Sequence, residues 1–319
     1  MFNGQCSMVS TEKQWEGTTY GNSLMHRWLI KLLKGIDIRI VYIFTYIFVI
    51  PPCLFRDGFK PIYHYFRQRW GYGPIKAFRM TYRNHYMFAQ VVIDRFAMYA
   101  GRHFRVTIDG FEHFRRLADR PEAFVMLSSH VGNYEMAGYT LVSDRKRLNA
   151  LVFSGEKQTV MEHRTEMFAD KNIHMIPVSD DMSHLFLLDQ AIQQGEIVSM
   201  PADRIFGSQK SVSATLLGAP VRLPLGPFSV AAMHGLRVLA VNVMKVTPDR
   251  YHVYVRPISY DHRAPRQEQT RQLAQRYAAE LEHILTIYPT QWYNYFEYWN
   301  VELLEQREQN RTRSNFAES

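Results

Sequence analysis

Hydrophobic and polar positions follow three different rhythms along the chain. The run "IVYIFTYIFVIPPCLF", residues 40 to 55, carries no charge and is flanked by Arg27, Lys31, Lys34 and Arg39 on one side and Arg56 and Lys60 on the other. It is short for a span, which needs roughly 20 apolar residues. Its basic flanks, together with Trp28 and nearby tyrosines, predict a membrane-associated or shallowly inserted helix, with a buried core helix as the alternative. Pro51 and Pro52 end or kink it. From Phe59 to Arg105 aromatic and basic residues interleave as on helices with one greasy and one charged side. Beyond Arg105 short β-rich stretches alternate with helical ones. "AFVMLSS" 123 to 129, "NALVFS" 149 to 154, "IHMIPVS" 173 to 179, "EIVSMPA" 196 to 202, "VLAVNVMKV" 238 to 246 and "YHVYVRPI" 251 to 258 read as strands. Residues 133 to 143, 156 to 170, 182 to 194, 227 to 235 and Arg266 to Tyr288 read as helices, the last with Leu273, Tyr277, Leu281, Ile284 and Leu285 on one side. Strands alternating with helices predict an α/β fold, a mixed and mainly parallel sheet flanked by helices, preceded by the N-terminal membrane-associated helical region. The expected division is residues 1–105 for that region, 106–305 for the α/β domain and 306–319 for a polar tail.

Composition narrows the function classes. Two cysteines in 319 residues supply neither a disulfide framework nor a thiolate metal cluster. The net charge of +8 is unevenly placed: from Gly21 to Arg120, seventeen Lys or Arg face six Asp or Glu, so this block carries +11 and the remainder is slightly acidic. A basic face suits anionic lipid, nucleic acid or an acidic protein. No GxxG clamp, zinc-finger spacing or RNP-like stretch accompanies the basic residues, which argues against nucleic acid.

The candidate chemistry lies in "LSSHVGNYEMAG", residues 127 to 138. His130 falls at the C-terminal end of a predicted strand, where α/β sheets expose their ligand sites. In one continuous helix, His130 and Glu135 would sit about 140° apart and could not touch. The pair makes sense if His130 precedes the helix and "VGN" turns the chain, with Gly132 permitting the turn, so that Glu135 folds back toward the imidazole. Glu135 would then fix the tautomer and leave the other ring nitrogen as a general base. A histidine merely hydrogen-bonded at a helix start is the structural alternative. Ser128 and Ser129 lack the G-x-S-x-G setting of a nucleophile elbow, so no covalent acyl-enzyme is expected. No third or fourth metal ligand accompanies the pair, and neither metal nor nucleotide cofactor is expected.

The HX4E spacing, "MPADRIFG" at 200 to 207, "SVSATLLGAPVRLPLGPFSVAAMHGLRVLAVNVMK" at 211 to 245 and "YPTQWYNYFEYW" at 288 to 299 together resemble the bacterial late acyltransferases of lipid A biosynthesis, within the wider HX4D/E acyltransferase group. His130 and Glu135 match that motif, Asp203 and Arg204 match the family's Asp-Arg or Asp-Gln site, and Gly218, Pro220 and Gly226 match the turns behind it. The resemblance implies an enzyme that moves a fatty acyl group from an acyl thioester, usually acyl carrier protein, to a hydroxyl of a lipid A-type glycolipid at the cytoplasmic side of the inner membrane. It implies His130 as base and Glu135 as the group stabilising the imidazolium. Arg204 is a candidate for the developing oxyanion or an acceptor phosphate, or for a structural ion pair with Asp203.

The family often carries an arginine-proline step after the strand at 149 to 153, whereas this chain reads "FSGEKQTVMEHR". Lys157 and Arg164 replace part of that phosphate-facing function or are solvent-facing helix charges. Asn133 completes the substrate-binding candidates. An aminolipid or another amphiphile remains open as the acceptor, as does a non-catalytic membrane adaptor.

Overall fold

The computed structural model describes residues 23–55, 58–152, 171–178, 183–205 and 210–299. Among these residues nine strands form in chain order: β1 (Arg105–Asp109), β2 (Phe124–Ser128), β3 (Leu148–Val152), β4 (Ile173–Pro177), β5 (Ile197–Pro201), β6 (Ser211–Leu216), β7 (Ala219–Pro224), β8 (Arg237–Thr247) and β9 (Arg250–Ile258). Seven of them build one sheet in the order β1-β9-β8-β2-β5-β3-β4, while β6 and β7 pair separately as a hairpin. Within the large sheet β8 and β9 are antiparallel, and the other pairings are parallel. The six strand segments read from the sequence all form. The pattern did not reveal β1, whose residues alternate between exposed and half-buried, nor the hairpin.

The central strands β2, β5 and β8 are largely apolar on both sides because both sides are covered. In β2, Val125 and Leu127 enter one core cluster while Phe124 and Met126 enter the other, as the period of two requires. Among the described residues ten α-helices surround or precede the sheet: α1 (Ser23–Gly35), α2 (Ile38–Phe44), α3 (Ile50–Leu54), α4 (Phe59–His64), α5 (Pro74–Tyr99), α6 (Phe111–Ala118), α7 (Ala137–Thr140), α8 (Ser183–Gln193), α9 (Leu225–Met233) and α10 (Arg266–Ile287). Phe114 and Leu117 of α6 close one face. Leu188 of α8, Phe228 of α9 and the predicted stripe of α10 close the other. Leu273, Tyr277, Leu281, Ile284 and Leu285 are all essentially inaccessible, and burying such a side chain is worth roughly 1.5–3 kcal/mol.

The N-terminal expectation is overturned. No helix among the described residues is long and apolar enough to cross a membrane, against the predicted N-terminal membrane helix and the inner-membrane anchoring inferred from it. The uncharged run forms α2, a π-helical turn at Thr45–Val49 and the five-residue α3 that holds Pro51 and Pro52, one following directly on the other and ending at Leu54. Its Tyr42, Thr45, Ile50 and Leu54 are buried, while Ile43, Phe44, Ile47 and Phe48 are exposed. Leu33 of α1 and Ile38 and Tyr42 of α2 pack with Ile93, Phe96 and Ala97 of α5. A buried polar knot ties these helices to the sheet: Asp94 accepts from Tyr42, Tyr251 and the Lys245 ammonium. Lys245 also donates to Tyr42 Oη at 3.1 Å. Inside the protein these two charges depend on each other, since removing either leaves its partner uncompensated.

Gly132 shows where the fold permits no side chain. Its φ is +59°, and an added Cβ would lie 1.9 Å from the Val243 carbonyl oxygen. Gly226 has open space around it. Gly132→Ala is expected to destabilise the protein by about 1–3 kcal/mol or more, whereas Gly226→Ala should be neutral or stabilising by up to about 1 kcal/mol. Melting temperatures of the two variants check this, and equal shifts would contradict it.

Candidate active site

The candidate site assembles at the C-terminal ends of two adjacent parallel strands. β2 and β5 pair with Ser128 opposite Pro201, so His130 and Asp203, each two residues beyond that pair, leave the sheet side by side. The exit is pinned: Ala202 N–H donates to Ser128 O at 2.9 Å, and so does the Tyr277 hydroxyl at 2.9 Å. After His130 the chain threads between β8 and residues 288 to 299. Gly132 N–H donates to Gln291 O and Asn133 N–H to Val243 O, both at 2.8 Å. The Gln291 side chain in turn bonds both the N–H and the carbonyl of Lys245.

His130 is held by Asp203. Its backbone N–H donates to Oδ2 at 3.0 Å and its Nδ1 lies 2.8 Å from Oδ1. The Trp292 indole N–H adds a third donor to Oδ2 at 3.2 Å, and Tyr298 Oη donates to the Asp203 carbonyl at 2.7 Å. Asp203 is fully buried. Burial alone would raise its pKa, but the neighbouring His130, its hydrogen bonds and Arg204 hold it down, to about 2. It is therefore an anion at neutral pH and can only accept, which makes Nδ1 the protonated nitrogen of a neutral imidazole and Nε2 the one with a free lone pair. His130 retains 25% side-chain exposure. Burial and the Arg204 charge lower its pKa below the ordinary histidine value of 6.5, while Asp203 opposes them.

Glu135 does not reach the ring. The three-residue turn Tyr134–Met136 carries it away from His130 toward α5, where Oε1 lies 3.1 Å from Arg95 Nε and Oε2 accepts from Tyr99 Oη at 3.4 Å. The cause is local: pairing of residues 131 to 133 with β8 and the closing segment leaves Asn133 extended, so the turn starts one residue later than a helix from 133 would. Arg204 lies close to the site, with Nε donating to Asn294 Oδ1 at 2.5 Å and a terminal nitrogen to Tyr293 O at 2.6 Å. Asn133 faces inward: it is buried, and its amide donates to Tyr251 Oη at 3.4 Å. Lys157 and Arg164 lie outside the described residues. Among the described residues no group of three or more His, Cys, Asp or Glu is arranged to hold a metal ion.

The arrangement is that of a histidine held by a buried carboxylate at the mouth of an α/β sheet. Residues 79–299 match the family described as bacterial lipid A biosynthesis acyltransferase. The chain belongs to this family. Membership makes it a transferase of acyl groups in lipid metabolism, acting on a lipid-related substrate. No curated protein matches the sequence.

Sequence reasoning named Asp203 only as a substrate-side residue and did not find Arg95, Trp292 or Asn294. The equal offset of "SSH" and "PAD" from the ends of two strand segments was the available signal, and it becomes informative only once those strands are known to be neighbours. If Arg95 and Glu135 form a latch, a double-mutant cycle with Arg95→Met and Glu135→Gln should give a coupling of about 1–3 kcal/mol in chemical denaturation. Strict additivity would dissolve the latch.

Proposed function

We propose that this acyltransferase uses His130 as general base to pass a fatty acyl group from a thioester to a hydroxyl of a lipid A-type glycolipid. The observation that supports this best is the Asp203 carboxylate on Nδ1, which leaves Nε2 as a proton acceptor. Nε2 takes the hydroxyl proton as the acceptor oxygen attacks the thioester carbonyl. Collapse of the tetrahedral intermediate breaks the C–S bond, and the imidazolium returns the proton to the departing thiolate. Asp203 stabilises the imidazolium between the two transfers. Glu135 supports the loop through Arg95 in this reading. Arg204 contributes its charge beside the reacting groups, with two of its nitrogens already committed to the closing segment.

The thioester donor is acyl carrier protein. Acyl carrier proteins are acidic, and the basic block from 21 to 120 supplies a complementary surface. Arg79 and Arg83 are exposed one helical turn apart on α5. Replacing both with glutamate should raise KM for the carrier-protein donor several-fold and leave KM for an acyl-coenzyme A unchanged, with raised salt giving a similar selective loss. Equal effects on both donors would reject carrier docking at this surface.

The direct test incubates the purified protein with defined acyl thioesters and a lipid extract and identifies the acylated product by mass spectrometry. His130→Ala should abolish product without unfolding the chain. Asp203→Asn should lower kcat by about 10³–10⁴, because an amide no longer favours the reactive tautomer or the imidazolium. The acid limb of kcat/KM should fall below pH 6.5, since the His130 pKa is lowered and the base form persists to lower pH. Near-wild-type turnover in His130→Ala would overturn the mechanism.

A further inference from the structure

A cavity of about 610 Å³ adjoins the dyad through Trp292. The Trp292 ring lines it, while its N–H donates to Asp203. Neither His130 nor Asp203 belongs to its wall, so the cavity is a neighbour of the reacting groups. Its volume is within the range of about 300–1,000 Å³ typical of small-molecule sites.

Two residues of the wall carry buried donor nitrogens without a hydrogen-bond partner, Arg69 Nε and Asn294 Nδ2, and a third, Tyr65, brings a buried hydroxyl that lies beside the Trp70 indole. Tyr65 and Asn294 are each 4% exposed. The orientation of Asn294 follows from chemistry. Arg204 can only donate, so the atom 2.5 Å from its Nε must be the amide oxygen, and the NH2 group is the unpartnered end. Two of the three atoms are pure donors, and a tyrosine hydroxyl can also donate, so an occupant that satisfied them would offer acceptor oxygens. The wall between these atoms is aromatic, with Trp292, Tyr298 and Trp299, and the Arg69 guanidinium sits 5.2 Å from the Trp299 ring centre. At the rim, Gln68 and the His64–Glu297 pair, at 2.8 Å, add acceptors as well as donors.

Three ligand chemistries can be weighed against this wall. A hydrocarbon chain would leave the polar atoms unsatisfied. An inorganic anion would answer the donors but make no use of the aromatic surface, and it would meet the Glu297 carboxylate. A sugar ring satisfies both demands, since its C–H faces lie flat on aromatic rings while its oxygens accept and its hydroxyls donate. We infer that this cavity is a saccharide-binding site which, resting on the glycolipid-acceptor reading above, seats a sugar ring of the acceptor head group. Two wall residues connect the bound ring to the reacting groups: Trp292 through Asp203, and Asn294 through Arg204.

The test titrates the full chain with cellobiose and N,N′-diacetylchitobiose, and separately with inorganic phosphate, by calorimetry and tryptophan fluorescence. Saturable disaccharide binding is expected. Trp299→Leu should weaken it at least tenfold, and Gln68→Ala, at an exposed rim position, several-fold. Phosphate should not compete. Should Trp299→Leu fail to fold, Gln68→Ala and Arg69→Gln carry the comparison. Absence of disaccharide binding, binding indifferent to the rim and wall substitutions, or competition by phosphate alone would overturn the assignment. His130→Ala separates this inference from the catalytic one: saccharide binding should survive in that variant while acyl transfer is lost. An active enzyme whose cavity binds no saccharide would sink the cavity assignment and leave the transferase mechanism standing.

Discussion

A carboxylate with no exposure to solvent persists as an anion only where donors surround it, and Asp203 has three on its oxygens: the His130 backbone, the His130 ring and the Trp292 indole. Each comes from a segment that the fold must place independently. β2 delivers both groups of His130, β5 delivers Asp203 itself, and the closing segment delivers Trp292. An error of one residue in the β2–β5 register would turn one of the two side chains to the wrong side. The energetic demand of the buried charge and the orientation of the imidazole are therefore met by the same contacts. Loss of the carboxylate's partners would cost stability as well as the orientation of the imidazole.

The surroundings support the same loop from several directions. Gly132 accepts a backbone approach that no Cβ would permit, and this brings the chain after His130 against Val243 of β8. Gln291 clamps the backbone of Lys245, the residue whose ammonium is buried against Asp94. Tyr251 joins that knot and also accepts from Asn133, immediately after Gly132. Thus α2 and α5, though far from His130 in sequence, contribute through Tyr42, Asp94, Arg95 and Tyr99 to how the motif is held. The closing aromatic segment binds Asp203, Arg204 and the loop at once, and it also forms much of the adjoining cavity wall.

Local pattern revealed the parts of the fold that local physics decides. β2, β5 and β8 were legible because strands buried on both faces are apolar, β9 because its buried Tyr251, Val253 and Val255 alternate with more open positions, and α10 because its stripe repeats every three to four residues. β1 was missed because it alternates only weakly between exposed and half-buried positions, and the hairpin because Pro220 and Pro224 disguise it. The apolar run at 40–55 was misread for an instructive reason: lack of charge measures compatibility with an apolar environment, while a span also needs roughly 20 residues, and the helical turns that begin at Ile38 end at Leu54. The position of His130 just beyond a strand end was legible. Its partner was not, because sequence proximity favoured Glu135, five residues away, over Asp203, which only the β2–β5 pairing brings within 2.8 Å.

The central claim is that Asp203 sets the protonation geometry of His130. Nitrogen-15 NMR of the imidazole in the folded, full-length protein observes this directly. The account predicts a neutral ring protonated on Nδ1 at pH 7, a titration below the ordinary histidine value of 6.5, and loss of that tautomer preference in Asp203→Asn but not in Glu135→Gln. A ring protonated on Nε2 at pH 7, or a tautomer that changes with Glu135→Gln and ignores Asp203→Asn, would contradict it.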